Sequence, residues 1–140
     1  MNNQAALLFE AHSPKELVKH QLKSSNPALQ SPYIEHWVLQ LYGVPPDRIN
    51  DPERVTDLLR SSAQELELTV VSDHSHYFGP GVSTVLVLAE SHMAAHTWPE
   101  LGYIHLDIVT CVEKLSAETL EDALRRQFAP DIVRLAQLEY

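Results

Sequence analysis

Hydrophobic and polar residues alternate along this chain with two different periods, and the switches between them outline a fold. From Tyr33 to Tyr42, YIEHWVLQLY sets Tyr33, Glu35, Trp37, Leu39 and Leu41 against Ile34, His36, Val38 and Gln40, which predicts a strand. Gly43 to Asn50 turns the chain. Asp51 then offers an N-cap with Pro52 at the first helical position, and Val55, Leu58, Leu59, Ala63 and Leu66 recur at helical spacing, so a helix with one apolar stripe is expected. Leu68 to Ser72 reads as the next strand, and Val82 to Ala89 as another, apolar enough to be covered on both faces.

The segment LAESHMAAHTWPE, residues 88–100, is flanked by strand-like runs and ends in Trp98-Pro99, which disfavours a helix. Tyr103 to Cys111 alternates again, with Tyr103, His105, Asp107, Val109 and Cys111 on one side. Ser116 caps a second helix, Leu120, Ala123, Leu124 and Phe128 form its stripe, and Pro130 stops it. Ile132 to Leu138 is a last strand. The order predicts an α+β two-layer sandwich, an antiparallel sheet with both helices on one face. The second sheet face must then be covered by something else or hold the site.

Ahead of this domain, Ser13-Pro14-Lys15-Glu16 reads as the start of a short helix reaching Leu22, and SSNPALQSP, residues 24–32, as a linker. Residues 1–32 are therefore expected to be an extension and 33–140 the domain.

Length and charge narrow the partners. A chain of 140 residues is one domain by length, and its formal net charge of −9, with scattered basic residues, would repel a phosphate backbone. Nucleic acid is not an expected partner. No apolar run approaches the roughly 18 residues of a membrane span, so no membrane partner is expected either. Cys111 has no second cysteine to pair with, and MNNQAALLFEAH lacks a basic start and long apolar core, which points to a reducing cytoplasm.

Chemistry concentrates in residues 88–111. Taken singly, Ser91 reads as a turn residue, Trp98 as a core aromatic, Glu100 as a solvated charge and Cys111 as a small buried hydrophobe whose thiol could also donate a proton. His92 and His96 share a face in a strand and, with His74 and His76, could be read as metal ligands, but no carboxylate or thiol stands at a tight ligand spacing beside them. No metal is expected.

Read together, Gly81-Val82-Ser83, Leu88-Ala89-Glu90-Ser91-His92, His96-Thr97-Trp98-Pro99-Glu100, Gly102-Tyr103 and Asp107-Ile108-Val109-Thr110-Cys111 resemble the short prokaryotic S-adenosylmethionine decarboxylase proenzymes. The likeness is dense over residues 78–111, looser from His36 to the C-terminus, and does not cover the first 32 residues. It implies self-cleavage between Glu90 and Ser91: the serine hydroxyl attacks the preceding carbonyl, and elimination and hydrolysis leave a pyruvoyl group at the new N-terminus. The pyruvoyl would form a Schiff base with the substrate amine, in the role pyridoxal phosphate plays elsewhere.

The same resemblance makes His96 the processing base, Ser83 its assistant and Cys111 the proton donor in decarboxylation. It makes Phe78 the aromatic that stacks on adenine, with Trp98 beside the substrate, and Glu100 the acceptor for the ribose hydroxyls. It implies S-adenosylmethionine as substrate, spermidine synthesis as the destination of the product, and a homodimer or higher oligomer whose sites draw on both protomers and in which Phe78 serves a neighbour's site. Two other readings compete: the same machinery acting on arginine or ornithine, and an uncut, non-catalytic homologue. The sequence departs from the family pattern in the short Phe78–Ser83 loop, at Thr84 and Val112, and at Glu35 before His36, where glycine is usual at the last three.

Overall fold

The computed structural model describes residues 27–113 and 115–139. The helix predicted over Ser13 to Leu22 lies outside them; of the linker, Pro27–Leu29 forms one turn of 3-10 helix.

Among the described residues, six strands and two α-helices follow in the order β1 (Glu35–Tyr42), α1 (Pro52–Glu65), β2 (Val70–Tyr77), β3 (Val82–Leu88), β4 (His92–Trp98), β5 (Tyr103–Thr110), α2 (Ala117–Phe128) and β6 (Ile132–Leu138). The strands make one sheet in the order β2-β3-β4-β5-β1-β6, every neighbouring pair antiparallel. Both helices lie on the same face, as the sequence pattern predicts.

The helix ends follow from local chemistry. The Asp51 carboxylate accepts from the Arg54 N–H with Pro52 in the first turn, so α1 starts where its missing N–H costs nothing. Ser116 and Thr119 form a reciprocal capping box on α2, and Ala129 ends that helix in the left-handed conformation, one residue before Pro130. The helices meet at their C-terminal ends, where Glu65 accepts from Arg126 and Gln127. These contacts, the Gln127 hydrogen bond foremost, hold the Glu65 carboxyl below the usual carboxylate range.

Between helices and sheet lies the core. Trp37, Leu39 and Leu41 of β1, Leu86 of β3, Met93 of β4 and Ile104, Leu106 and Ile108 of β5 meet Val55 and Leu59 of α1 and Leu120, Leu124 and Phe128 of α2. Phe128 is fully buried. Phe128→Ala should therefore lower the unfolding free energy by about 3–5 kcal/mol, measurable by urea titration; a loss well under 1 kcal/mol would show that α2 does not hold this core.

Two expectations are corrected. The strand predicted over Leu68 to Ser72 runs instead from Val70 to Tyr77, through Asp73, His74, Ser75 and His76. It is an edge strand, so its polar side chains stay in water and the apolar alternation used to find it is missing. β3, read as covered on both faces, is covered on one: Leu86 is buried while Val85 and Val87 are 38% and 45% exposed. Thr84, at a position usually glycine in the resembling family, turns away from the open face into the helix layer, fully buried and 2.9 Å from the Ser75 hydroxyl, so it does not border a site on the open face.

Candidate active site

The sheet face away from the helices is open, and strand alternation sends the reactive residues there. His92, His96 and Trp98 of β4 alternate with buried Met93, Ala95 and Thr97. Asp107, His105 and Tyr103 of β5 and His36 and Gln40 of β1 point the same way. Register then sets who meets whom. His76, Ser83, His96, His105, Gln40 and Arg134 stand opposite one another on successive strands, so one polar row crosses all six.

Within that row the Ser83 hydroxyl lies 2.8 Å from His96 Nδ1. A hydroxyl and an imidazole at this distance can pass a proton, the arrangement expected of a general base and its assisting group.

Ser91 sits elsewhere. β3 and β4 are joined through Ala89 and Glu90, closed by the Leu88 N–H to the Ser91 carbonyl at 2.8 Å and the Ser91 N–H to the Leu88 carbonyl at 3.4 Å. Neither Ala89 nor Glu90 has positive φ, so the turn is not of the primed kind that matches strand twist. The Ala89 N–H is tied instead to the Thr69 carbonyl at 3.0 Å. Cys111, just past β5, donates its thiol to the Glu90 carbonyl at 3.3 Å, the carbonyl of the bond that would be cut. Thr69, Glu90, Ser91 and Cys111 border a cleft of about 260 Å³, slightly below the roughly 300–1,000 Å³ of small-molecule sites.

The two groups do not converge within one chain. His96 is five residues along β4 from Ser91, about 16 Å at the rise of a strand. Phe78, Trp98 and Tyr103 gather at the His96 end: Phe78 packs edge-on against Trp98 with ring centroids 6.3 Å apart, and Trp98 leans on Tyr103 at 5.6 Å. Glu100 is exposed in the 3-10 turn Pro99–Leu101 that follows β4. Glu90, Ser91 and Cys111 thus gather at one end of β4, and Ser83, His96, Phe78, Trp98 and Glu100 toward the other.

Phe78 owes its place to the turn it begins. Its N–H donates to the Gly81 carbonyl at 2.9 Å, Gly79 has φ +55°, and a Cβ on Gly81 would come 2.3 Å from both the Thr97 carbonyl oxygen and the Phe78 ring. Only glycine fits at 81.

One cluster escaped sequence reasoning. The Asp107 carboxylate lies 3.3 Å from His36 Nε2 and 3.8 Å from His92 Nε2, one residue beyond Ser91. β1 is far from β4 in sequence, so only the strand order brings His36 in; the signal present was a polar residue on each of three strands at positions facing away from the core. His74 and His76 are exposed on edge strand β2, with His76 opposite Ser83. Among the described residues no group of three or more His, Cys, Asp or Glu side chains is arranged to hold a metal ion.

Comparison with known proteins agrees with this geometry. Residues 35–139 match the family model for S-adenosylmethionine decarboxylase. The S-adenosylmethionine decarboxylase proenzyme of Pyrococcus furiosus is 34% identical over 105 residues, covering 74% of this chain and 76% of that protein. That of Carboxydothermus hydrogenoformans is 39% identical over 94 residues, covering 66% and 74%. The crystal structure of the adenosylmethionine decarboxylase from Aquifex aeolicus superposes with a TM-score of 0.68 at 31% identity, over 79% of this chain and 92% of that one. A sheet with this open face, a glutamate-serine turn beside a thiol, and these matches over three-quarters of the sequence place the chain in the S-adenosylmethionine decarboxylase family.

Proposed function

We propose that this protein cuts itself between Glu90 and Ser91, carries the resulting pyruvoyl group at position 91, and decarboxylates S-adenosylmethionine to the aminopropyl donor of spermidine synthesis. We propose further that it acts as a homodimer whose sites are each built from two copies. The observation that carries this reading is the division of the reactive residues between the two ends of β4, each end incomplete alone.

Position 91 suits a group made in place: a partly exposed serine after a two-residue turn, with a thiol already on the preceding carbonyl. In the cleavage the Ser91 Oγ attacks the Glu90 carbonyl carbon, and the amide bond gives way to an ester as the Ser91 nitrogen is released. A base removes the Ser91 α-proton, the Glu90 carboxylate departs, and water replaces the nitrogen, which leaves as ammonia. Cys111 donates to the Glu90 carbonyl and so polarises it for the first step. The His96 imidazole, with Ser83 at 2.8 Å, is the base for the second.

Because that base sits about 16 Å along β4 from Ser91, it serves the Ser91 of a second copy. Stacking two open faces about a two-fold axis, roughly 10 Å apart as packed sheets are, sets the Ser91 end of one against the His96 end of the other. Two such sites form at once, since an isologous contact repeats every pairing. Burying Val85 and Val87 gives the contact an apolar component.

A pyruvoyl carbonyl supplies an electron sink for loss of CO₂ from a bound amino acid. The protein's own groups supply the rest. Phe78 and Trp98 present aromatic faces for adenine and for the sulfonium, an attraction of about 0.5–2 kcal/mol. Glu100 accepts from a vicinal diol, and would be left unpaired by a substrate without one. Cys111 returns a proton to the product carbon.

Those nucleoside-binding groups favour S-adenosylmethionine over arginine or ornithine. Release of CO₂ from each of the three by purified protein tests the choice, with turnover of S-adenosylmethionine alone expected; turnover of arginine or ornithine instead would reject it. Cys111→Ala should still cut itself, more slowly, but lose activity progressively during turnover as the proton is delivered to the wrong carbon. A stable, fully active Cys111→Ala enzyme would remove the thiol from the mechanism.

A further inference from the structure

We infer that Thr97 is a positioning residue for self-processing, holding Ser83 against His96 from the opposite side of the sheet. The inference rests on the proposed roles of Ser83 and His96 and adds a residue those roles leave unused.

Thr97 follows His96 in β4, so it faces the helix layer while His96 faces the open side, and it is fully buried. Its hydroxyl makes two hydrogen bonds: it accepts from the Val82 N–H at 2.9 Å and donates to the Ile49 carbonyl at 2.7 Å. The first of these stands where the sheet ladder stops. The β3–β4 register runs from Val87 opposite His92 to Ser83 opposite His96 and goes no further. At the next step a side-chain hydroxyl takes the Val82 N–H.

Ser83 and His96 are thus the last pair of their ladder, where strand ends open most readily. Thr97 clamps that end from both sides of the pair, gripping the residue before Ser83 and belonging to the residue after His96. The second hydrogen bond anchors the clamp to Ile49, itself fully buried, in the segment between β1 and α1. The Thr97 carbonyl lies against Gly81, which seats the same clamp under the Phe78 turn. Removing only the hydroxyl leaves the Val82 N–H and the Ile49 carbonyl buried without this partner, and the pair is freed to separate. A proton transfer that depends on a 2.8 Å contact is sensitive to such a shift.

The test compares self-cleavage rates of the full chain, followed by gel and intact mass after synthesis, for Thr97→Val, which keeps the shape, and Thr97→Ser, which keeps the hydroxyl. Folding is checked for each by near-ultraviolet circular dichroism and thermal melting in the uncleavable Ser91→Ala background. Thr97→Val is expected to slow cleavage by about 10- to 100-fold, and Thr97→Ser to stay within about threefold of the parent. Thr97→Ala is run in parallel, so that a clash peculiar to valine or a failure of that variant to fold does not decide the result. In a Ser83→Ala background the effect of Thr97→Val should largely vanish, because there is no serine left to position.

Cleavage of Thr97→Val at the parental rate, a Thr97→Ser variant as slow as valine, or an undiminished effect in the Ser83→Ala background would each overturn the inference. His96→Ala separates this from the reading beneath it. If His96→Ala cuts normally, the assignment of the processing base fails; if His96→Ala is slow while Thr97→Val is not, only the role of Thr97 fails.

Discussion

Ser91→Ala is expected to yield a single uncut chain of 15.8 kDa, folded as the parent and without measurable decarboxylase activity. The cleavage proposed here uses the Ser91 oxygen as nucleophile, so alanine removes the reacting atom and not merely a contact to it. Folding should be spared. The residue sits partly exposed at a hairpin end, and its backbone hydrogen bonds to Leu88 do not involve the side chain. Gel analysis and thermal melting read the two outcomes separately. An alanine variant still cut at the same bond would reject the mechanism, because no alternative oxygen at position 91 exists.

Mixing two inactive chains should restore cleavage. His96→Ala alone is expected to cut itself about 10²- to 10⁴-fold more slowly, the usual contribution of a positioned base. Ser91→Ala does not cut at all but keeps Ser83 and His96. When the two are co-expressed with distinguishable tags, the His96→Ala chain retains Ser91 and receives the missing imidazole from its companion. With random pairing at equal amounts, about half of the His96→Ala chains reside in mixed dimers and should be cut. The Ser91→Ala chains should all remain whole. If the site closed within a single chain, co-expression would leave both intact, and the spacing along β4 would need another explanation.

How much of this was legible in the residues alone depends on which physical signal each element carries. α1 and α2 were readable from end to end, because Asp51-Pro52 and Ser116 write their own N-termini and Val55, Leu59, Ala63 and Leu120, Leu124, Phe128 repeat at helical spacing. β1 and β5 announced themselves by alternation. The expected β2 is shorter than the observed one because an edge strand has no obligation to be apolar: Asp73 to His76 carry no apolar signal, and Ser75 is bonded to Thr56 and Thr84. β3 was judged covered on both faces for the opposite reason: Val85 and Val87 are apolar without being buried inside the chain.

The candidate site divides in the same way. The blocks from Gly81 to Cys111 carried the family resemblance, and spacing along a strand already implies that Ser91 and His96 lie far apart. What no spacing reveals is strand order. Cys111 meets the Glu90 carbonyl because β5 lies beside β4, and His36 comes to Asp107 because β1 lies beside β5. The Thr97 hydroxyl is invisible for a related reason: its partners, Val82 and Ile49, are 15 and 48 residues away.

The most direct test of the account is the intact mass of the small fragment, residues 91–140, from freshly purified parent protein. The account expects that fragment to begin with a blocked, amine-free terminus, lighter by the mass of ammonia than a fragment starting at an ordinary serine. A fragment opening on unmodified Ser91, or one undivided 15.8 kDa chain, would contradict it.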